Sequence, residues 1–246
     1  MSLRDYGRTA AVVTIGDEVV EGRVSNENAV WICDALMRKG IWPRLVLAVP
    51  DDEETIARML RVAWDAADIV VVSGGLGFTP DDVTRRAVAR ACLRDLVLHE
   101  AVAVELSSTL TWATPDVARS LATFPEGSQP RLSTCGGVPG FSVGDIHVLP
   151  GSPTEVRAML ASIDFPESSG GIFTATLTCE TTEDQIRDVL ISFEGVHEGV
   201  RLGSYPSFSG SRPQVGLVLS SRDESELQEA TEWVAERLPC TISGNA

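Results

Sequence analysis

Apolar runs and helical repeats alternate along the first two thirds of the chain. Thr9–Ile15 and Ile69–Ser73 are almost continuously apolar, which is typical of parallel strands covered on both faces. Residues 44–49 predict another strand, and residues 29–36 carry apolar side chains at helical spacing. The order strand, helix, strand, helix, strand predicts an α/β domain with a three-layer, mostly parallel sheet.

The next hundred residues continue this pattern less regularly. A further strand is predicted at 145–149, and helices are predicted at 83–93, 100–110 and 154–160. Residues 111–136 are rich in Pro, Ser and Thr and show no periodicity, so they predict a lid or an edge hairpin.

A linker and a second domain are predicted after the α/β domain. Residues 166–171, PESSGG, have linker composition. The pattern beyond them predicts a small α+β domain with a KH-like βαββα order. Its strands are predicted at 172–179, 200–204 and 215–220, and its helices at 182–193 and 223–238. The predicted domains are therefore residues 1–166 and 171–246.

A glycine-rich stretch with two aspartates, GGLGFTPDDVT, occupies residues 74–84 between a predicted strand and a predicted helix. Its glycines permit positive φ angles and a close approach of ligand to backbone. Thr79 or Asp81 is expected to cap the helix that Pro80 helps to start. Free amides at such a helix start suit a phosphate, so the stretch predicts a phosphate site.

The acidic residues of this stretch require a cation if a phosphate is to bind there. Asp81 and Asp82 would repel a bare anion, and a divalent cation, Mg²⁺ above all, would lie between them and the phosphate oxygens. A second glycine and acid group, Gly16-Asp17-Glu18, follows the first strand. The same patterns are also typical of tight turns with solvated acids, and the Asp51 to Glu54 run is interpreted as a helix N-terminal cluster with capping-box spacing.

Two more turns of small residues extend the pattern. Gly136 to Phe141 contains three glycines, and Pro150-Gly151-Ser152-Pro153 follows the predicted strand at 145–149. Several such turns in one α/β domain favour a shared ligand edge. The candidate ligand-binding residues are Gly16, Glu18, Gly74, Gly75, Gly77, Thr79, Thr84, Gly137, Pro150, Gly151 and Ser152.

Composition narrows the classes of function. The formal net charge is −15 and Lys39 is the only lysine, which disfavours binding to a nucleic-acid backbone. The five cysteines lack any CxxC pair, so neither a zinc site nor a disulfide framework is signalled. No signal-peptide core or membrane-length apolar run occurs, and we expect a cytoplasmic protein without a membrane partner. The three histidines share no ligand spacing and are interpreted as structural.

The sequence resembles the molybdopterin-binding domain of MoaB- and MogA-type proteins. The resemblance rests on four motifs in the same order: GDEVVEG with Asn26 and Asn28 following, GGLGFTPDDVT, GGVPGF and PGSP. The likeness is strongest to the N-terminal part of CinA, the competence/damage-inducible family. CinA's amide-hydrolysing C-terminal domain has no counterpart in this sequence, so deamidation is not implied.

The sequence departs from the family pattern at three places. Phe78 stands where proline is usual, Ser152 replaces the first proline of PGPP, and residues 133–137 replace Asn-Pro-x-Gly-Thr.

The resemblance implies chemistry at phosphorus. In the MogA-like case the site joins a pterin dithiolene phosphate to a nucleotide, and in the CinA-like case it hydrolyses a substrate such as ADP-ribose. Asp17 and Asp82 would hold Mg²⁺, the amides of Gly75 and Gly77 would cradle the phosphate, and Asp81 would add a ligand or orient water. A catalytically silent pterin- or nucleotide-binding module is the alternative. A homo-oligomer, dimer or trimer, is also implied.

Overall fold

The computed structural model describes residues 7–134, 136–165, 171–207 and 213–245. These residues fall into two compact units, one built on 7–37 and 41–165 and the other on 38–40, 171–207 and 213–245. Residues 166–170 of the predicted linker at 166–171, and Cys135, lie outside the described residues.

The first unit contains the predicted α/β domain. Its elements are β1 (Thr9–Ile15), α1 (Asp17–Val20), α2 (Glu27–Arg38), β2 (Trp42–Val49), α3 (Glu53–Ala66), β3 (Ile69–Ser73), α4 (Thr84–Cys92), β4 (Leu96–Leu98), α5 (Glu100–Thr109), α6 (Pro115–Leu121), β5 (Thr123–Pro125), β6 (Gln129–Arg131), β7 (Gly140–Val143), β8 (Ile146–Leu149) and α7 (Pro153–Ala161).

A six-stranded sheet in the order β2-β1-β3-β8-β7-β6 forms the centre of this unit. The first four of these strands run parallel, and β7 and β6 continue the sheet antiparallel. The carboxyl ends of β1, β3 and β8 therefore lie at one edge. This confirms the mostly parallel sheet and the common edge for the turns after Ile15, Ser73 and Leu149.

Helices cover both faces of the sheet, as the apolar strands predict. Every residue of β1 and of β3 is buried, because neither face of these strands meets water. The apolar sides of α3 and α4 pack on one face around Leu60 and Val88. The apolar sides of α2 and α7 pack on the other face around Ile32 and Val156. The three-layer prediction is therefore confirmed.

Residues 111–136 match the expected edge hairpin only in part, through β6 at the edge of the sheet. They contain the short helix α6, whose Ala118 and Leu121 are buried against Leu106 of α5 in a separate small cluster. The strand after it, β5, pairs with β4 in a two-stranded sheet, and β6 pairs with β7 at the sheet edge. Seven residues are too few for a helical repeat to be recognised in the sequence, so α6 was not predicted.

The second unit has the predicted βαββα order and one further strand. Its elements are β9 (Phe173–Cys179), α8 (Glu183–Val196), β10 (Arg201–Ser207), β11 (Gln214–Ser221), α9 (Glu224–Arg237) and β12 (Cys240–Asn245). The strands form an antiparallel sheet in the order β10-β11-β9-β12. No helix among the described residues of either unit is long and apolar enough to cross a membrane.

One cysteine pair corrects the expectation that no disulfide is present. Cys179 of β9 lies opposite Cys240 of β12, and the two are joined by a disulfide. The two cysteines are 61 residues apart in the sequence, and no motif links them. They come together only because β12 pairs with β9 in the folded sheet, so the sequence did not predict the disulfide. Cys33 and Cys92 are free thiols, and burial raises the pKa of both.

Two glycines with positive φ provide a matched test of the sheet edge. A Cβ on Gly74, with φ of 113°, would lie 2.1 Å from the carbonyl oxygen of Ile15, whereas Gly144, with φ of 57°, has open space around it. We expect Gly144→Ala to cost about 1 kcal/mol for the left-handed backbone. Gly74→Ala should cost at least ~3 kcal/mol, because a fixed backbone atom adds overpacking to the same strain.

Urea unfolding of the two variants beside the unchanged protein measures this difference in the free energy of unfolding. Equal losses in Gly74→Ala and Gly144→Ala would show that the strand ends can separate to admit a methyl group.

Candidate functional site

The predicted ligand-binding residues gather at the carboxyl edge of the sheet. Gly16, Asp17 and Glu18 follow β1, the segment from Gly74 to Thr84 follows β3, and Pro150, Gly151 and Ser152 follow β8. Gly137 comes shortly before β7, whose Phe141 pairs with Val148 near the end of β8. The structure thus brings the four predicted segments to the same edge.

Three strand ends converge on Gly74. Its amide donates to the carbonyl oxygen of Leu149 over 3.1 Å, and its φ of 113° suits glycine. A Cβ on Gly74 would strike the Ile15 carbonyl, and a Cβ on Gly151 would lie 3.6 Å from the Gly74 Cα. The chain therefore leaves β3 through a space that only a residue without a side chain can occupy.

Asp82 holds the glycine loop together. Its Oδ1 accepts from the Gly77 amide at 2.7 Å, and its Oδ2 accepts from the amide and hydroxyl of Thr79 at 2.9 and 2.5 Å. The α4 helix begins only at Thr84, with Val83 as N-cap, so Thr79 and Asp81 do not cap it as the sequence suggested. Both oxygens of Asp82 thus serve the loop, and its role as a metal ligand stays a prediction.

Arg85 and Thr84 bind the carbonyl oxygens of the same loop from beneath. The Arg85 guanidinium donates to the carbonyls of Leu76 and Gly77, and the Thr84 hydroxyl donates to the carbonyl of Gly74 over 2.9 Å. Both side chains are buried, and burial lowers the pKa of Arg85 to about 10, against an opposing effect of Asp82. Arg85 was missed because an arginine in the first turn of a helix usually lies in solvent.

Asp17 and Asp51 form a reciprocal pair across two strand ends. The Asp17 amide donates to Asp51 Oδ2 over 2.9 Å, and the Asp51 amide donates to Asp17 Oδ1 over 3.1 Å. Asp51 is not the helix cap that its spacing from Glu54 predicted. That position belongs to Asp52, whose carboxylate accepts from the Thr55 amide. Each paired carboxylate keeps one oxygen that accepts no hydrogen bond from a described residue.

The environment of Asp51 disfavours its charge. Partial burial raises the pKa of Asp51, and the neighbouring charges of Asp17, Glu18 and Asp81 raise it further, while the Asp17 amide acts in the opposite direction. Three carboxylates from two neighbouring loops thus repel the Asp51 carboxylate, in addition to the larger cost of its burial. A cation placed among them would relieve the repulsion.

A pocket of about 340 Å³ opens on the α2 side of the same edge. Asn28 crosses it, donating to the Ser73 hydroxyl over 3.0 Å and to the Gly151 carbonyl over 2.8 Å, and Ser73 donates to the Pro150 carbonyl. The carbonyl oxygen of the Asn28 side chain is buried and has no hydrogen-bond partner among the described residues. The pocket therefore has an acceptor available for a ligand.

Gly137 does not line this pocket, and it contacts the side chain of Glu155 instead. The Glu155 carboxylate lies against it so closely that a Cβ would be 1.5 Å from Glu155 Oε1. Burial raises the pKa of Glu155, and a hydrogen bond from the Val138 backbone opposes that rise. Gly137 thus admits the acidic side chain of α7 beneath the turn.

The carboxylates do not form a ready metal cage. Within the described residues, no three His, Cys, Asp or Glu side chains are placed to hold an ion together. Mg²⁺ commonly binds one or two carboxylates and completes its shell with water and phosphate oxygens. The free oxygens of Asp17 and Asp51 fit that mode, in which the ligand supplies part of the coordination.

Comparison with known proteins decides the family. Residues 11–167 match the family described as the probable molybdopterin binding domain. The chain belongs to this family. Residues 171–245 match the model described as FAD synthase, middle domain. The two matches lie on either side of the predicted linker.

Relatives and a solved structure agree with that assignment. A Thermococcus kodakarensis protein is 33% identical over 244 residues, 93% of this chain and 96% of the relative. A CinA-like protein of Syntrophus aciditrophicus is 33% identical over 234 residues, 88% of this chain but 54% of that protein. The crystal structure of CinA from Thermoplasma acidophilum, described as of unknown function, is 33% identical with a TM-score of 0.60. That match covers 64% of this chain and 96% of the other.

Asp82→Asn tests whether this residue organises the loop. An amide group in place of this carboxylate would point hydrogens at the Gly77 or Thr79 amide. We expect a loss of about 1–3 kcal/mol in the free energy of unfolding without any cation or ligand. Asp81→Asn, at an exposed position, is the control, and an equal effect in both variants would contradict the role of Asp82.

Asp51→Asn tests the charge repulsion. Because the folded pKa of Asp51 is raised above its ordinary value of 3.8, its stabilising contribution is present at lower pH. That contribution is lost as the pH rises through the folded pKa. We therefore expect Asp51→Asn, without divalent cations, to be more stable than the unchanged protein near pH 7 and no more stable near pH 3.8. Urea unfolding at several pH values would measure this, and a difference independent of pH would contradict it.

Proposed function

We propose that the carboxyl edge of the sheet binds the phosphate or pyrophosphate group of a pterin or nucleotide together with a divalent cation. The observation that carries the proposal is the pairing of a glycine loop, pinned by Asp82 and Arg85, with the Asp17 and Asp51 carboxylates across the strand ends. The family match supports the pterin or nucleotide class of ligand.

The loop offers amides to an anion. Among the described residues, nothing accepts a hydrogen bond from the amides of Gly75 or Leu76, whereas the amide of Gly77 is taken by Asp82. Gly75 has a φ of 63°, and Asp51 Oδ1 would lie 3.5 Å from a Cβ placed there. We therefore assign the phosphate to the amides of Gly75 and Leu76, in place of the pair Gly75 and Gly77 expected from the sequence.

Asp17 and Asp51 are the residues that would hold the cation. A Mg²⁺ ion bound there would neutralise charge on the phosphate oxygens during attack at phosphorus. The two aspartates keep their free oxygens in place by accepting each other's amides, and Asp81, on the exposed side of the cluster, remains able to orient a water molecule. These roles fit hydrolysis of a pyrophosphate bond, with ADP-ribose as the substrate to try first.

Asp51→Asn separates this function from stability. The asparagine oxygen can still accept from the Asp17 amide, but the charge that attracts the cation is gone. We expect Mg²⁺-dependent release of AMP from ADP-ribose to fall roughly a hundredfold or more. Calorimetry with Mg²⁺ and ADP-ribose should show the same loss in binding.

Asp52→Asn is the matched control, because asparagine caps a helix as well as aspartate does and the Asp52 side chain accepts from the Thr55 amide of its own helix. Its AMP release should equal that of the unchanged protein. Binding of ADP-ribose and Mg²⁺ that is unaltered in Asp51→Asn would refute the assignment. Binding that depends on Asp51 but yields no AMP would identify a non-catalytic binding module.

A homo-oligomer remains part of the proposal, supported by the resemblance described above. Sedimentation velocity of the whole chain tests it directly, since a dimer or trimer separates clearly from a 26.3 kDa monomer.

A further inference from the structure

Two exposed aromatic side chains meet beside the glycine loop. The rings of Phe78 and Trp112 lie with their centroids 5.8 Å apart and their planes inclined by 31°. Phe78 is 50% exposed and Trp112 is 55% exposed, so each keeps a large apolar area in water after the two have paired. Exposed apolar patches that serve no packing commonly mark binding surfaces.

The backbone on both sides of Phe78 is fixed. Gly77 and Thr79 are bound by Asp82, and the Gly77 carbonyl is bound by Arg85, so the residue between them is presented outward. Trp112 stands in a turn after α5 in which the Ala113 amide donates to the carbonyl of the buried Leu110. The aromatic pair is therefore set in place before any ligand arrives.

The position of Phe78 and Trp112 indicates which kind of molecule would cover these two side chains. Phe78 lies in the loop that offers the Gly75 and Leu76 amides, so a ligand held there by its phosphate can bring an attached ring to Phe78. A second copy of the chain is disfavoured, since exposed acids, Asp81 and Asp116, follow each aromatic residue closely in the sequence and the chain carries a net charge of −15. A planar heteroaromatic ring carries no such charge penalty.

We propose that Phe78 and Trp112 form a stacking platform for the planar heteroaromatic ring of the phosphorylated ligand, the purine of a nucleotide or the ring of a pterin. This inference rests on the proposed phosphate site. Stacking of a base on aromatic side chains is tolerant of ring identity and typically strengthens binding about ten- to a hundredfold. The loop amides would thus hold the phosphate, and the platform would distinguish ligands with a ring from those without one.

A pair of probes tests the platform separately from the phosphate site. Affinities of the whole chain for AMP and for ribose 5-phosphate, both with Mg²⁺, would be measured by calorimetry. We expect AMP to bind roughly ten- to a hundredfold more tightly. Phe78→Ala and Trp112→Ala should each bring AMP towards the affinity of ribose 5-phosphate while leaving ribose 5-phosphate unchanged. Neopterin monophosphate, measured in the same way, tells a pterin preference from a purine preference.

Trp64→Ala is the control, because Trp64 is also exposed but lies on α3. Equal affinities for AMP and ribose 5-phosphate in the unchanged protein would overturn the platform and leave the phosphate site standing. Failure of both probes to bind would overturn the two proposals together. An AMP preference that survives both platform substitutions, with a change in sedimentation instead, would show that the aromatic pair is a contact between copies of the chain.

Discussion

The convergence of three strand ends on Gly74 is the constraint on which the site depends. A Cβ on Gly74 would lie 2.1 Å from the carbonyl oxygen of Ile15, a Cβ on Gly151 would lie 3.6 Å from the Gly74 Cα, and the Leu149 carbonyl accepts from the Gly74 amide. Because a φ of 113° aims the side-chain position of this residue at the Ile15 carbonyl, only glycine fits there. The chain must leave β3 along the single path that remains, and that path places the loop over the buried Arg85 and opposite Asp17.

The loop is then stabilised by two complementary sets of hydrogen bonds. Its amide donors at Gly77 and Thr79 bind the Asp82 carboxylate, and its carbonyl acceptors at Leu76 and Gly77 bind Arg85. Such charge-assisted bonds are stronger than bonds between neutral groups, and burial strengthens those made by Arg85. A loop restrained from both sides loses little conformational freedom on binding, so more of the contact free energy appears as affinity.

The sequence could predict the sheet edge but not the partners within it. Continuous apolar runs identify β1 and β3, and the order of elements then requires their carboxyl ends to meet. The pairing of Asp17 with Asp51 depends on a contact across 34 residues, and locally Asp51 is indistinguishable from the capping residue Asp52. The hydrogen bonds of Asp82 to its own loop were not predicted, because a side chain turned back on its loop leaves no periodic signal. The Cys179–Cys240 disulfide was not predicted either, because it also joins residues that are far apart in the sequence.

The proposed phosphate site lies in an acidic chain, so the charges around the site bear directly on the proposal. Partial burial raises the pKa of the Asp51 carboxylate, and the charges of Asp17, Glu18 and Asp81 raise it further. The positively charged Arg85 donates hydrogen bonds to two loop carbonyls and lies buried behind the loop backbone. It therefore polarises the loop but does not contact a ligand. Loop amides carry only partial charges. In the proposed function these partial charges do not balance the four carboxylates, so a cation would act as co-ligand to the anion, and the affinities for the two would rise together.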